Sequence, residues 1–249
     1  MHRHDADVAL PLQPELRHGL GHDDEVIFDG MVEWSEHAER EIARYRDGEA
    51  RLPDADESDP RQKQLTRMGN AAGGAGLALL MRGDEEQASE WFHRAADRYR
   101  ESMEEAPPGS WGRPLGAMKA LVLAGDWAGA EDAARWALEL GAADTPSPIG
   151  RYAAALAHLI LGDDEARPLA GSLRESEDFP QDVADSLATL AASDRIGYVY
   201  AVESVLESFA TRDEYLEDIP VADTVLVLQA LAERRDIAAE LSSPLLPKN

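Results

Sequence analysis

One phrase recurs along this chain and restricts what it can fold into: an apolar helical run that ends in Gly-Asp and is followed at once by a second helical run. It reads Leu79-Leu80-Met81-Arg82-Gly83-Asp84, then Leu121-Val122-Leu123-Ala124-Gly125-Asp126, then Leu159-Ile160-Leu161-Gly162-Asp163, with a weaker copy in Ala191-Ala192-Ser193-Asp194. Glycine accepts the left-handed conformation that closes a helix, and an aspartate oxygen accepts hydrogen bonds from the free N–H groups that open the next. Each copy is therefore expected to be a tight helix-to-helix turn. The four aspartates lie 42, 37 and 31 residues apart, close to the roughly 34 to 47 residues of helical-pair repeats. A lone hairpin cannot bury its apolar face, so such hairpins stack. The expected fold is all-α, a solenoid of degenerate, tetratricopeptide-like helical hairpins, although no consensus repeat is met letter by letter.

Composition agrees. Alanine and leucine dominate while valine, isoleucine, phenylalanine and tyrosine are sparse, which favours helix over strand. With 249 residues and 44% hydrophobic content the chain can bury a sizeable core. Residues 1–22 are polar and His-rich, carry Pro11 and Pro14, show no sustained periodicity and read as a flexible N-terminal arm. The remainder, 23–249, reads as one helical-repeat domain whose apolar tail, Leu241-Ser242-Ser243-Pro244-Leu245-Leu246-Pro247, docks against the last hairpins. Between Asp24 and Gly48, the residues Val26, Ile27, Met31, Trp34, Ala38, Ile42 and Tyr45 recur at helical spacing. In the next helix the run Gly69-Asn70-Ala71-Ala72-Gly73-Gly74-Ala75-Gly76 costs about 1 kcal/mol per glycine relative to alanine, so a neighbouring helix must approach closely there. That neighbour is either part of the same chain or a second copy in a homodimer. A phosphate-cradling loop is excluded because no Gly-Lys-Ser/Thr follows the run. Asp84 with Gln87 three residues on reads as a capping box.

The charge is extreme: 49 acidic against 24 basic side chains, a net of -25, with only three lysines, Lys63, Lys119 and Lys248. Carboxylates spread along the whole chain suit a salt-filled cytoplasm, where screening over roughly 3 Å at about 1 M removes their mutual repulsion. They would also complement a basic partner such as a nuclease. Phosphate contacts need clustered lysine and arginine, so nucleic-acid binding is not expected. No apolar run approaches the roughly 20 residues that span a bilayer, and no signal-peptide core is present, so a cytoplasmic, soluble protein is expected. The absence of cysteine removes disulfides, thiolate metal sites and cysteine nucleophiles.

Candidate chemistry is thin. His2, His4, His18, His22, Asp5, Asp7, Asp23 and Asp24 are metal-ligand types on an arm with no core to fix them. Glu33, His37 and Glu41 share a helix face without the zinc-protease pattern, and read as a solvated face. His158 reads as a packed histidine on an apolar helix, and no serine sits in a nucleophile elbow. No catalytic, cofactor or metal residue is assigned. Trp127 and Trp136 read as packing between helices. Trp111, in a Gly-rich loop and followed closely by Arg113, joins two residue types enriched at binding hot spots, and this pair is the candidate partner-binding site.

The C-terminal third, with Asp194-Arg195-Ile196-Gly197-Tyr198, Val205-Leu206-Glu207-Ser208-Phe209, Tyr215-Leu216, Val221-Ala222-Asp223, Leu226 to Ala232 and Ser243-Pro244-Leu245-Leu246-Pro247, resembles the tail of the immunity protein 49 family. The resemblance extends loosely over Leu121 to Asp132, and the family's usual Gly-Ile or Gly-Leu is replaced here by Asp236-Ile237. What it implies is a non-enzymatic helical protein, here in a halophilic setting, that binds and neutralises a cognate toxin protein. Two further classes stand beside it: a tetratricopeptide-like scaffold or adaptor for an endogenous complex, and a hydrolase using a carboxylate-bound metal.

Overall fold

The computed structural model describes residues 22–54, 56–212 and 214–248, with side chains from residue 33 onward except at 216. Apart from His22, the N-terminal arm and its histidine and aspartate cluster up to Asp7 and His18 lie outside the described residues. All regular structure among the described residues is helical. The helices are α1 (His22–Ala50), α2 (Ser58–Arg82), α3 (Glu85–Met103), α4 (Gly112–Leu123), α5 (Trp127–Glu139), α6 (Pro148–Leu161), α7 (Ala166–Arg174), α8 (Gln181–Ala192), α9 (Arg195–Ala210) and α10 (Asp223–Glu233).

From α1 to α9 each helix packs on the one before it, and α4, α6 and α8 also touch in succession. The turns that produce this antiparallel order are the Gly-Asp phrases. Gly83, Gly125 and Gly162 all have positive φ, of 88°, 71° and 76°, and Ser193 takes the same role in the weaker copy at 55°. The aspartates divide into two kinds. Asp126 and Asp194 cap the following helix, accepting from the backbone N–H of Gly129 at 2.9 Å and of Gly197 at 3.0 Å. Asp84 forms no cap bond; Arg82 donates to it through Nε at 2.7 Å, and the charged neighbour displaces the capping box expected with Gln87. Asp163 lies 2.8 Å from His158 Nδ1 and accepts from Glu165 N–H at 3.2 Å, just before α7.

The glycine run of α2 receives side chains from its own chain. A Cβ at Gly69 would lie 2.9 Å from the ring of Tyr99, one at Gly116 of α4 2.8 Å from the same ring, and one at Gly76 2.6 Å from Phe92. Tyr99 is thus held between two helices at glycine distance. A Cβ at Gly74 would lie 3.1 Å from Glu41 Cγ, so α1 also comes close. This overturns the reading of Glu41 as part of a solvated face: its side chain is 0% exposed, accepting from Arg40 Nε at 2.9 Å and Arg44 Nη1 at 2.8 Å.

The buried apolar side chains form two groups. Tyr45, Met68, Leu79, Trp91 and Phe92 are among those filling the space between α1, α2 and α3. A larger group runs through α4 to α10 and includes Leu156, Leu187, Tyr198 and Leu228. Residues 214–222, between α9 and α10, tie the two together. Ile219 and Val221 complete the first group, and α10 then returns against α4, α8 and α9. This strap turns tightly at Leu216–Asp218, with Glu217 and Asp218 both at φ 55°. Glu217 anchors it: the carboxylate pairs with Arg44 and accepts from Asn70 Nδ2 at 3.1 Å, while its carbonyl accepts from Arg40 Nη2 at 2.9 Å. The tail packs beside α10, with Ala222 N–H donating to Leu245 O at 3.0 Å and Leu246 buried.

Candidate functional site

Helices α2, α3 and α4, closed on one side by the strap, enclose a cleft of about 600 Å³, within the range of sites that take a small molecule or a few side chains. Leu77, Phe92, Leu115, Ala120 and Leu123 line it, and Ile149, half-exposed, stands among the same walls. A Cβ at Gly73 or Gly112 would meet nothing within 4 Å, so these two glycines give the cleft width without serving any packing contact.

Two polar chains cross this apolar space. Tyr99 O–H donates to Asn70 Oδ1 at 2.9 Å, and Asn70 in turn donates to Glu217. Burial, with the carboxylates of Glu217 and Asp223 adding to it, pushes the Tyr99 phenol far above its ordinary value, so it stays a neutral donor. In the second chain Lys119 Nζ donates to Asp223 Oδ2 at 2.5 Å and Thr224 Oγ1 at 3.1 Å. Burial alone would lower Lys119, but the Asp223 carboxylate outweighs it and the net shift is upward. The lysine is therefore a fixed ammonium, unsuited to act as a base at neutral pH.

Arg113 differs from both. It is 8% exposed, on the first turn of α4. Nε donates to Thr66 Oγ1 at 3.0 Å and Nη2 to Gln62 Oε1, while Nη1 is buried without a partner. Thr66 and Gln62 are neutral; Asp59 reaches the cluster only through the Gln62 amide, which donates to it at 3.2 Å. Burial pulls the Arg113 pKa below the ordinary arginine value, yet a guanidinium remains a cation at neutral pH. In a chain with 49 acidic residues, this cation has no carboxylate partner among the described residues.

Trp111 and Arg113 thus stand together in the wall of one cleft, both 8% exposed. The Trp111 indole nitrogen would lie 3.0 Å from a Cβ at Gly150, which seats the ring against α6. Leu115, Lys119, Ala120 and Leu123 of the cleft follow this pair on α4, and the other walls come from α2, α3 and the strap. A signal for some of them exists: Gln62, Thr66 and Asn70 are uncharged polar residues at every fourth position of α2, on one face, and Lys119 interrupts the run Ala117 to Leu121.

Trp127 and Trp136 lie elsewhere, beneath the guanidinium groups of Arg234 at 4.2 Å and Arg100 at 4.9 Å. His93 bridges Ser89 O and Asp126 Oδ2 at 2.8 and 3.1 Å, a structural link between α3 and the turn before α5. Among the described residues no group of three or more histidine, aspartate or glutamate side chains is placed to hold a metal ion, and no helix is long and apolar enough to cross a membrane. No protein-family model, no curated protein and no solved structure matches this chain.

Proposed function

We propose that this protein is a non-enzymatic binding protein whose partner is another protein, and that the cleft between α2 and α4 is where it engages. The observation that carries this reading is the cleft itself. Its walls are apolar, and its tyrosine, asparagine, lysine and acidic groups are bonded to one another, which makes a pre-formed receptacle rather than a proton-transfer centre. The succession of contacts from α4 to α6 to α8 supports a stack of tetratricopeptide-like hairpins, an architecture that presents extended binding surfaces. The resemblance to the immunity protein 49 family supports a toxin as the partner.

The test is affinity capture from a molar-salt lysate with the wild-type chain and with Gly73→Trp, which fills the cleft at a position with open space around it. A stoichiometric protein held by the wild type and lost by the variant is the expected result; a toxin-domain protein identifies an immunity function. Capture indifferent to Gly73→Trp overturns the cleft as the point of engagement, and capture of nothing overturns the reading.

A further inference from the structure

We propose that the cleft is a carboxylate-binding site, taking an acid group on an apolar stem, with Arg113 as its cationic end. The proposal rests on reading the cleft as the recognition site and specifies the chemistry of what enters it. Three features carry it. The other charged groups lining the cleft are already neutralised, Glu217 by Arg44 and Asp223 by Lys119. Arg113 alone keeps an uncompensated charge there, and its Nη1 lacks a hydrogen-bond partner. A buried donor without a partner is destabilising, the more so when charged, and a carboxylate is the partner whose geometry matches the guanidinium fork.

An apolar stem fits because Leu77, Phe92, Leu115 and Leu123 line much of the cleft, and Tyr99, Asn70, Lys119, Glu217 and Asp223 are already bonded among themselves or to Arg44. Nη1 is out of reach of water as the cleft stands, so a carboxylate engages it after a small swing of the guanidinium. Its bonds to Thr66 and Gln62 go to neutral acceptors, and a carboxylate adds the ion-pair attraction that these lack. The same chemistry has two sources: a free medium-chain acid, or the C-terminal carboxylate of a partner's apolar end.

The experiment is calorimetric titration in molar KCl with four probes: octanoate, octanamide, and the peptide acetyl-Leu-Leu-Val as free acid and as C-terminal amide. At least one acid is expected to bind one-to-one and at least tenfold more tightly than its amide. Arg113→Gln should bring that acid down to the level of its amide, and Gly73→Trp should remove both. The wild-type acid-to-amide ratio needs no variant, so it stands even if Arg113→Gln fails to fold. Binding of the peptide acid places the carboxylate on a polypeptide end. Binding of octanoate alone keeps the carboxylate site but removes the cleft from the protein-partner reading. Equal affinity for acid and amide, failure of both acids to bind, or a preference that survives Gly73→Trp overturns the proposal.

Discussion

Replacing Gly73 and Gly76 by alanine, one at a time, separates two roles that glycine plays in a single helix. Both lie inside α2, so both substitutions gain about 1 kcal/mol of helix propensity. At Gly73 a Cβ meets nothing within 4 Å, and the whole gain should appear as stability. For a chain of this size that is a rise in Tm of roughly 2–4 °C. At Gly76 the added carbon would sit 2.6 and 2.7 Å from Phe92 Cε1 and Cδ1, and Phe92 is buried in the core with no free end to swing away. Overpacking of this kind costs roughly 1–3 kcal/mol. Because the propensity term is common to both, the difference between the two variants isolates the steric cost, and should amount to roughly 2–12 °C in Tm. Thermal unfolding followed by circular dichroism in molar salt measures it. Equal shifts for the two variants would refute the close approach of α3 to α2 at this point.

Further outcomes are expected. Asp126→Ala should cost about 1 kcal/mol by removing a cap, whereas Asp84→Ala, losing only a partly exposed pair with Arg82, should cost about 0–1 kcal/mol; urea unfolding distinguishes them. The Gly129 N–H, helped by His93, holds the Asp126 pKa below the usual carboxylate value, so its contribution is present above that value and lost as pH falls through the depressed one. Wild type should therefore lose stability on acidification more steeply than Asp126→Ala. Asp223→Asn leaves the partly buried Lys119 ammonium without its carboxylate and should destabilise by roughly 1–3 kcal/mol, with the Lys119→Met, Asp223→Leu double variant recovering most of it on urea unfolding. Glu217→Ala should weaken the strap by about 1 kcal/mol, the carboxylate losing the half-exposed Arg44 and the Asn70 amide while the backbone bond from Arg40 remains, and raise amide exchange at 214–222 before that of α6. Lowering KCl from about 1 M to about 0.1 M lengthens the screening distance from roughly 3 to 10 Å; Tm should fall, and an unchanged Tm would refute the salt-adapted reading of the charge.

The positions of the turns are written in the sequence because a turn is local: Gly83, Gly125 and Gly162 need no distant partner to favour a left-handed backbone. Capping is less legible, since an aspartate chooses among competing donors, and at Asp84 the Arg82 guanidinium donates in place of the Gln87 N–H. The glycine run announces a close neighbour but not its identity, because Tyr99, Phe92 and Glu41 reach α2 from two other helices. The cleft follows the same division. Trp111 and Arg113 are conspicuous as neighbours in sequence, whereas Lys119 and Asp223, or Asn70 and Glu217, are more than a hundred positions apart and meet only once the strap is in place. Glu41 illustrates the limit of pattern reading: its spacing from His37 and Glu33 indicates a wet face, and only the missing side chain at Gly74 makes burial possible.

The strap also sets a timetable. During synthesis α1, α2 and α3 emerge first, yet their apolar group is completed by Ile219 and Val221, which lie more than a hundred positions beyond the end of α3 at Met103. At roughly 5–20 residues per second, the nascent first hairpins wait on the order of ten seconds with part of that group uncovered. A simple array of repeats would settle unit by unit as it left the ribosome. Here the earliest helices cannot cover their apolar face fully until one of the latest segments arrives, so the part of the core begun first is closed by a part made late.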